Sequence, residues 1–190
     1  MRKIVIIGNG ISGVTCGRNI RKKTDDEITI ISGETEHFFS RTALMYIYMG
    51  HMKYEHTKPY EDWFWAKNRI ALITDYVSSV DTKNKTLHTK DKKIISYDIL
   101  IIASGSVTKK FDWPGQDLKG AVGLYSFQDL AEIEIRTKGI KNAIIVGGGL
   151  IGIELAEMLH SRNIEVIMLV KEKYYWNNIL PQCDAELVGG

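Results

Sequence analysis

The stretch NAIIVGGGLIGIELAEML, residues 142–159, repeats the plan of KIVIIGNGISGVTCGRNI, residues 3–20. In each, a short continuous apolar run leads straight into a GxGxxG sequence. Residues 3–7 read as a strand buried on both faces of a parallel sheet. Residues 14–23 then read as a helix and residues 28–31 as a second buried strand. The second copy repeats the order, with a strand at 143–146, a helix at 153–162 and the next strand at 166–170. A chain built this way is constrained to α/β architecture, with two βαβ units that each carry glycines at the first turn.

The spacing has a physical reason. The first glycine (Gly8, Gly147) permits the tight turn. The second (Gly10, Gly149) lets the backbone approach a pyrophosphate, and the third (Gly13, Gly152) lets helix and strand pack closely. The helix start then offers free N–H groups and a partial positive charge to phosphates. A carboxylate about 20 residues past the last glycine can take a ribose hydroxyl. Laying EITIISGE (27–34) over EVIMLVKE (165–172) puts Glu34 and Glu172 in the same place. The duplication therefore predicts two dinucleotide sites.

Composition excludes other classes. The 190 residues are 44% hydrophobic and 25% charged, ordinary for a chain that buries a core, and the net charge of +2 is too small to argue for nucleic acid or a membrane surface. The lysines are scattered except in KDKK (90–93), which reads as a solvated hairpin turn. No apolar run approaches the ~20 residues of a membrane span. Gly-Asn-Gly at residues 8–10 comes too soon for a signal-peptide core, so a cytoplasmic protein is expected. Cys16 and Cys183 form no CxxC and suggest neither a disulfide framework nor a zinc site. Five dispersed histidines without HxxxH spacing give no expectation of a metal. No Ser–His–Asp order or carboxylate pair stands out, and no catalytic residue is assigned.

Between the copies, residues 59–68, with Trp63, Phe64 and Trp65, read as an amphipathic helix whose aromatics serve the core or an interface. Residues 71–80 and 85–89 read as antiparallel strands, and 96–102 as one more buried strand ending in Ala103-Ser104-Gly105-Ser106. Trp113-Pro114-Gly115 marks a turn.

Taken together, GNGISG, SYDILIIASGS, the Pro114-Gly115 that follows and GGGLIGIELAEML resemble the amino-terminal half of the two-dinucleotide-binding flavoproteins. These are the FAD-dependent, pyridine-nucleotide-linked oxidoreductases that include glutathione, ferredoxin and rubredoxin reductases. The resemblance runs over essentially the whole chain. ISGETEHFFSRTALMYIYMG is most similar to the flavin module of nitrite reductases and to rubredoxin-reductase-like members. The implied fold is a Rossmann-like FAD-binding domain with an antiparallel β insertion (1–118), then the start of a second Rossmann-like, NAD(P)-binding domain (119–190).

The resemblance also implies roles. Gly8, Asn9, Gly10, Ile11, Ser12 and Gly13 would hold the FAD pyrophosphate, and Glu34 its adenosine ribose. Arg41 and Thr42 would lie along the flavin side, with His37 close to the cofactor. Val77 would meet the adenine through its backbone, and Ala103, Ser104 and Gly105 would pass close to FAD. Gly147, Gly149, Leu150, Ile151 and Gly152 would hold the NAD(P)H pyrophosphate, Glu172 the second ribose, and Glu154 would face the nicotinamide. The implied reaction passes a hydride from NAD(P)H to FAD and then electrons to a protein or small-molecule acceptor.

Three departures qualify the likeness. The strand-end positions are Ser32 and Val170, and the glutamates come two residues later. Lys171 beside Glu172 leaves NADH and NADPH both open, since a cation there accepts a 2′-phosphate. Where coenzyme A-disulfide and NADH oxidase relatives carry a flavin-side cysteine, Phe38-Phe39-Ser40-Arg41 places Arg41, so thiol–disulfide chemistry is not expected. Relatives run to roughly twice this length. The chain is therefore expected to be a fragment of a larger enzyme, a natural subunit completed by a partner chain, or a reduced flavin-binding module with a structural or regulatory role and no turnover. A reading in which both loops bind nucleotides without flavin is opposed by the ASG segment and the Pro-Gly after it.

Overall fold

The computed structural model describes every residue except Tyr175, Asn177, Asn178 and Gly190. Its first strand, β1 (Lys3–Ile7), leads into helix α1 (Ile11–Arg21) and β2 (Glu27–Ser32). Two short helices follow, α2 (Leu44–Tyr48) and α3 (Trp63–Lys67). Then come β3 (Ile70–Thr74), β4 (Val77–Asp81), β5 (Thr86–Thr89), β6 (Ile94–Ser96) and β7 (Ile99–Ile102). The chain divides into two compact units. The first is Met1–Thr42, Lys53–Lys109 and Tyr125–Gln128; the second is Ala43–Met52, Lys110–Leu124 and Asp129–Gly190.

In the first unit four strands pair in parallel in the order β3-β2-β1-β7. Ile4 faces Ile28 on one side and Ile99 on the other, and Ile28 faces Ile70. Because side chains alternate across a sheet, β1 serves two cores. Ile6 packs with Val14, Ile28, Ile30, Phe38, Trp65 and Ile70, and Val5 packs with Ile31, Leu87 and Tyr97. The second core lies under an antiparallel sheet in the order β4-β5-β6. The expected turn at 90–93 joins β5 to β6, with the Thr89 N–H donating to the Lys93 carbonyl at 3.1 Å.

Three expected elements are shorter or divided. The helix expected over 59–68 is only α3. The Asn68 side-chain amide donates to the Phe64 carbonyl at 2.8 Å and Arg69 turns to a φ of 52°, which together end it. Trp65 is buried, whereas Trp63 is exposed beneath Lys67, so the core role of the aromatics does not extend to Trp63. Residues 71–80 are not one strand but β3 and β4 in different sheets. The Asp75 N–H makes a last parallel bond to the Ser32 carbonyl at 2.9 Å, and its carboxylate then accepts the Tyr76 N–H at 2.7 Å and turns the chain. Residues 96–102 divide likewise, because the Tyr97 N–H goes to Lys85 while the Asp98 N–H goes to Lys3.

In the second unit α4 (Phe127–Arg136, its first two residues within the first unit) precedes β8 (Asn142–Val146), α5 (Leu150–His160), β9 (Glu165–Leu169) and α6 (Gln182–Gly189). The sequence reading missed α4, although its two buried residues, Leu130 and Ile133, stand at helical spacing. β8 and β9 pair in parallel, and α5 lies over the face that carries Met168. The opposite face carries Ile144, Val146, Ile167 and Leu169, all exposed. Arg162 ties α2 to α4. It donates to the Tyr48 carbonyl and to Glu134, with its guanidinium 3.6 Å from the buried Tyr48 ring. The hydrogen bonds that Arg162 donates to the Glu134 carboxylate raise the Arg162 pKa above its usual value.

At the start of the first sheet, Asp26 accepts the Arg2 side chain at 2.7 and 3.1 Å and the Arg2 N–H at 2.9 Å. These bonds hold its carboxyl below the usual range against the opposing effect of desolvation. A carboxyl lowered on folding stabilises above its unfolded pKa of about 3.9, and that stability is lost as pH falls through the folded value. Asp26→Asn is therefore expected to lower stability at pH 7 and to flatten the decline below about pH 4. Denaturant unfolding across pH measures it, and a decline as steep as in the wild type would show that Asp26 does not contribute.

Candidate functional site

The first glycine loop is fixed by close backbone contacts. Gly8 has a φ of +107°, and a Cβ there would stand 2.2 Å from the Ala103 carbonyl oxygen. A Cβ on Gly13 would stand 2.0 Å from the Gly8 carbonyl oxygen. These glycines are required by the fold. Gly10 is different: among the described residues a Cβ there would meet nothing within 4 Å. Packing does not explain its missing side chain, whereas a ligand backed against the loop would.

Gly10 is the N-cap of α1, and among the described residues no side chain caps it. The first intrahelical donor is Val14, to the Gly10 carbonyl at 3.0 Å, so the N–H groups of Ile11, Ser12 and Gly13 precede the helical ladder. No acidic residue stands in the first turn. Donors and dipole at this end are thus left for an anion. Asn9 is buried, and its amide donates to the Thr35 carbonyl at 2.8 Å, fastening the loop to the chain that leaves β2.

That segment carries Glu34. Arg41 grips its carboxylate with two nitrogens at 2.9 and 2.6 Å, and the Phe127 N–H donates to it at 2.9 Å. The Gln128 amide donates to the Glu34 carbonyl at 2.6 Å. The Arg41 guanidinium lies 4.3 Å from the Tyr125 ring centroid and donates to the Tyr125 carbonyl. Tyr125 in turn accepts the Ser106 N–H on its hydroxyl at 2.8 Å, and a Cβ on Gly105 would stand 2.6 Å from that oxygen.

The structure thus brings Gly8 to Gly13, Ala103, Glu34, Arg41 and Gly105 into one connected region of the first unit. Thr42 is exposed, its hydroxyl 3.1 Å from that of Ser40. Val77 opens β4 and packs against the second core. Ser104 is exposed beside them. His37 has Nε2 3.4 Å from Asp62, and its Nδ1 is enclosed without a hydrogen-bond partner among the described residues. Sequence reasoning missed Tyr125, Phe127 and Gln128. They reach Glu34 and Arg41 from 84 to 94 residues away, and no local pattern signals that.

The second unit repeats the loop. Gly147 has a φ of +115° and its N–H donates to the Leu169 carbonyl at 2.9 Å. A Cβ on Gly152 would stand 2.5 Å from the Gly147 carbonyl oxygen, and among the described residues one on Gly149 would meet nothing within 4 Å. Gly149 is the N-cap of α5, again with no side-chain cap among the described residues, and Leu150, Ile151 and Glu154 are exposed. Glu172 is exposed just beyond β9, between Lys171 and Lys173. Among the described residues no group of three or more His, Cys, Asp or Glu could hold a metal ion, and no helix is long and apolar enough to cross a membrane.

This geometry agrees with comparison to known proteins. The family described as pyridine nucleotide-disulphide oxidoreductase matches residues 2–187. The chain is 34% identical over 172 residues to a nitrite reductase [NAD(P)H] of Bacillus subtilis, covering 88% of this chain and 21% of that protein. It is 34% identical over 158 residues to the NADH-rubredoxin oxidoreductase of Clostridium acetobutylicum, covering 83% and 41%. The crystal structure of NADH:rubredoxin oxidoreductase from the same organism superposes with a TM-score of 0.87 at 30% identity, covering 98% of this chain and 49% of that one. The chain thus spans less than half the length of these relatives.

Two substitutions separate glycines the fold requires from those it does not. Gly13→Ala is expected to cost at least about 2 kcal/mol through overpacking against Gly8. Gly10→Ala is expected to cost about 1 kcal/mol or less, the difference between those residues at an N-cap. Equilibrium unfolding measures both, and equal losses would contradict the distinction.

Proposed function

The chain belongs to the pyridine nucleotide-disulphide oxidoreductase family, and from that premise we propose that it is the nucleotide-binding part of a flavoprotein oxidoreductase. This enzyme passes a hydride from NAD(P)H to FAD and then electrons to an acceptor, without a redox thiol pair. The observation that carries the reading is the repeated loop, whose middle glycine (Gly10, Gly149) is open among the described residues and heads a helix with no side-chain cap.

In this assignment residues 1–118 serve FAD and residues 119–190 serve the nicotinamide nucleotide. Gly8 to Gly13 take the FAD pyrophosphate on the N–H groups ahead of α1, and Glu34 takes the adenosine ribose. Thr42 lines the flavin side, Arg41 stands beside the ribose on Glu34 rather than along the flavin, Val77 meets the adenine through its backbone, and Ala103, Ser104 and Gly105 close one side of the cofactor. Gly147, Gly149, Leu150, Ile151 and Gly152 take the second pyrophosphate, Glu172 its ribose, and Glu154 faces the nicotinamide. Once bound, the two cofactors supply the hydride and electron chemistry. The protein's part is to fix backbone donors and carboxylates on rigid elements, so no residue is assigned as an acid or base.

The acceptor class we infer is a small redox protein or a small oxidised molecule. The names of the relatives, a nitrite reductase and a rubredoxin oxidoreductase, support it. Cytoplasmic residence belongs to the same proposal, supported by two free cysteines in a chain whose chemistry needs no disulfide. A second reading takes the same two loops as a nucleotide-binding module without turnover of its own, since both are open to a nucleotide and no residue is assigned as an acid or base.

The test is visible absorbance of the purified chain after addition of FAD, then of NADH and NADPH without oxygen. Bound flavin bands that bleach with one donor are expected. Gly10→Ala is expected to stay folded and to weaken flavin binding about tenfold or more, the loss of one hydrogen bond to a charged group. Bands that persist through both donors would favour the module. A folded chain that takes up no FAD would overturn the reading.

A further inference from the structure

The Glu34 carboxylate is nearly full. Its Oε1 accepts Arg41 Nη1 at 2.9 Å and the Phe127 N–H at 2.9 Å, and its Oε2 accepts Arg41 Nη2 at 2.6 Å. A carboxylate oxygen offers two lone pairs, so among the described residues Oε1 has no place left and Oε2 has one. A ribose diol that gives one hydroxyl to each oxygen needs a place on both. The Phe127 donor is main chain at the start of α4 and cannot swing away. The Arg41 donor is a side chain and can.

Arg41 also has somewhere to stay. The same Nη1 that reaches Oε1 donates to the Tyr125 carbonyl. The guanidinium lies 4.3 Å from the Tyr125 ring centroid and 5.3 Å from that of Phe39, both within cation–π range. Tyr125 is anchored at its far end by the Ser106 N–H at 2.8 Å. Nη1 can therefore give up Oε1 while the guanidinium keeps Oε2, the Tyr125 carbonyl and both rings.

We propose that Arg41 is a displaceable plug on Glu34. It is a positioning residue that yields Oε1 to a ribose hydroxyl while seated on Tyr125, and so lowers the first site's selectivity for a nucleotide with an intact ribose diol. The inference rests on the assignment of Glu34 to the FAD ribose. It concerns what the carboxylate must release to do that work.

The experiment competes adenosine and 2′,3′-dideoxyadenosine against bound FAD on the full chain, read by flavin fluorescence. The quantity is the ratio of the two competitors' affinities, in the wild type, Arg41→Met, Arg41→Lys and Glu34→Ala. If Arg41 is a plug, Arg41→Met widens the ratio about fivefold to tenfold, one charge-assisted hydrogen bond no longer given up. Arg41→Lys, whose single ammonium lacks the two-pronged grip, widens it less, and it also serves should the methionine variant fail to fold. A ratio unchanged or narrowed in both Arg41 variants, while Glu34→Ala abolishes it, would overturn the plug and leave the ribose assignment standing. A ratio that Glu34→Ala leaves unchanged would overturn the ribose assignment, and the plug with it.

Discussion

The carbonyl oxygen of Gly8 leaves no room for a side chain at Gly13, and the rest of the first unit is arranged around that contact. It lets α1 begin at the very end of β1, so the helix start faces out from the carboxyl edge of the parallel sheet. Ligands of open α/β sheets gather at that edge. The Ala103 carbonyl crowds Gly8 from the neighbouring strand, which brings the end of β7 to the same place. One steric constraint, expressed twice in main-chain atoms, thus gathers the loop, the helix start and the chain leaving β7. The second unit meets the same constraint between Gly147 and Gly152.

The parts of the fold that depend on local pattern were legible in the sequence. Both βαβ units, their glycine turns and the hairpin at 90–93 follow from apolar runs and turn residues. What was not legible depended on hydrogen bonds that compete with periodicity. Asp75 and Asp98 each break a stretch that reads as a continuous strand, because a polar side chain or main-chain donor there serves another strand. Asn68 and Arg69 stop α3 early in the same way. Leu130 and Ile133 carry the only helical spacing of buried residues in α4, too few to mark a helix by period alone.

The candidate site divides along the same line. Gly8, Gly10 and Gly13 could be assigned from spacing, since the positive φ of Gly8 and its contact with Gly13 are local, although the Ala103 carbonyl that also crowds Gly8 is not. The partners of Glu34 could not. By spacing the carboxylate is an acid two residues past the strand end with no partner in view, yet it is held by Arg41 and by the first main-chain donor of a helix more than ninety residues on. Tyr125 joins that set through the ring beneath the guanidinium and the hydroxyl above Gly105. A carboxylate supported this way is already oriented and compensated, which suits a binding group that must not collapse onto the loop. The chain is similar to the Bacillus and Clostridium proteins over most of its own length, while it spans less than half of each.

The most direct test of the account is an amide-resolved NMR titration of the 15N-labelled chain, first with FAD and then with NADH. The account predicts that FAD shifts the amides of Gly10, Ile11, Ser12 and Gly13, with a separate group at Gly105 and Ser106. NADH is then predicted to shift those of Gly149, Leu150 and Ile151. Shifts of the first loop by NADH alone, or no shift of either loop by either nucleotide in a chain whose spectrum is folded, would contradict it.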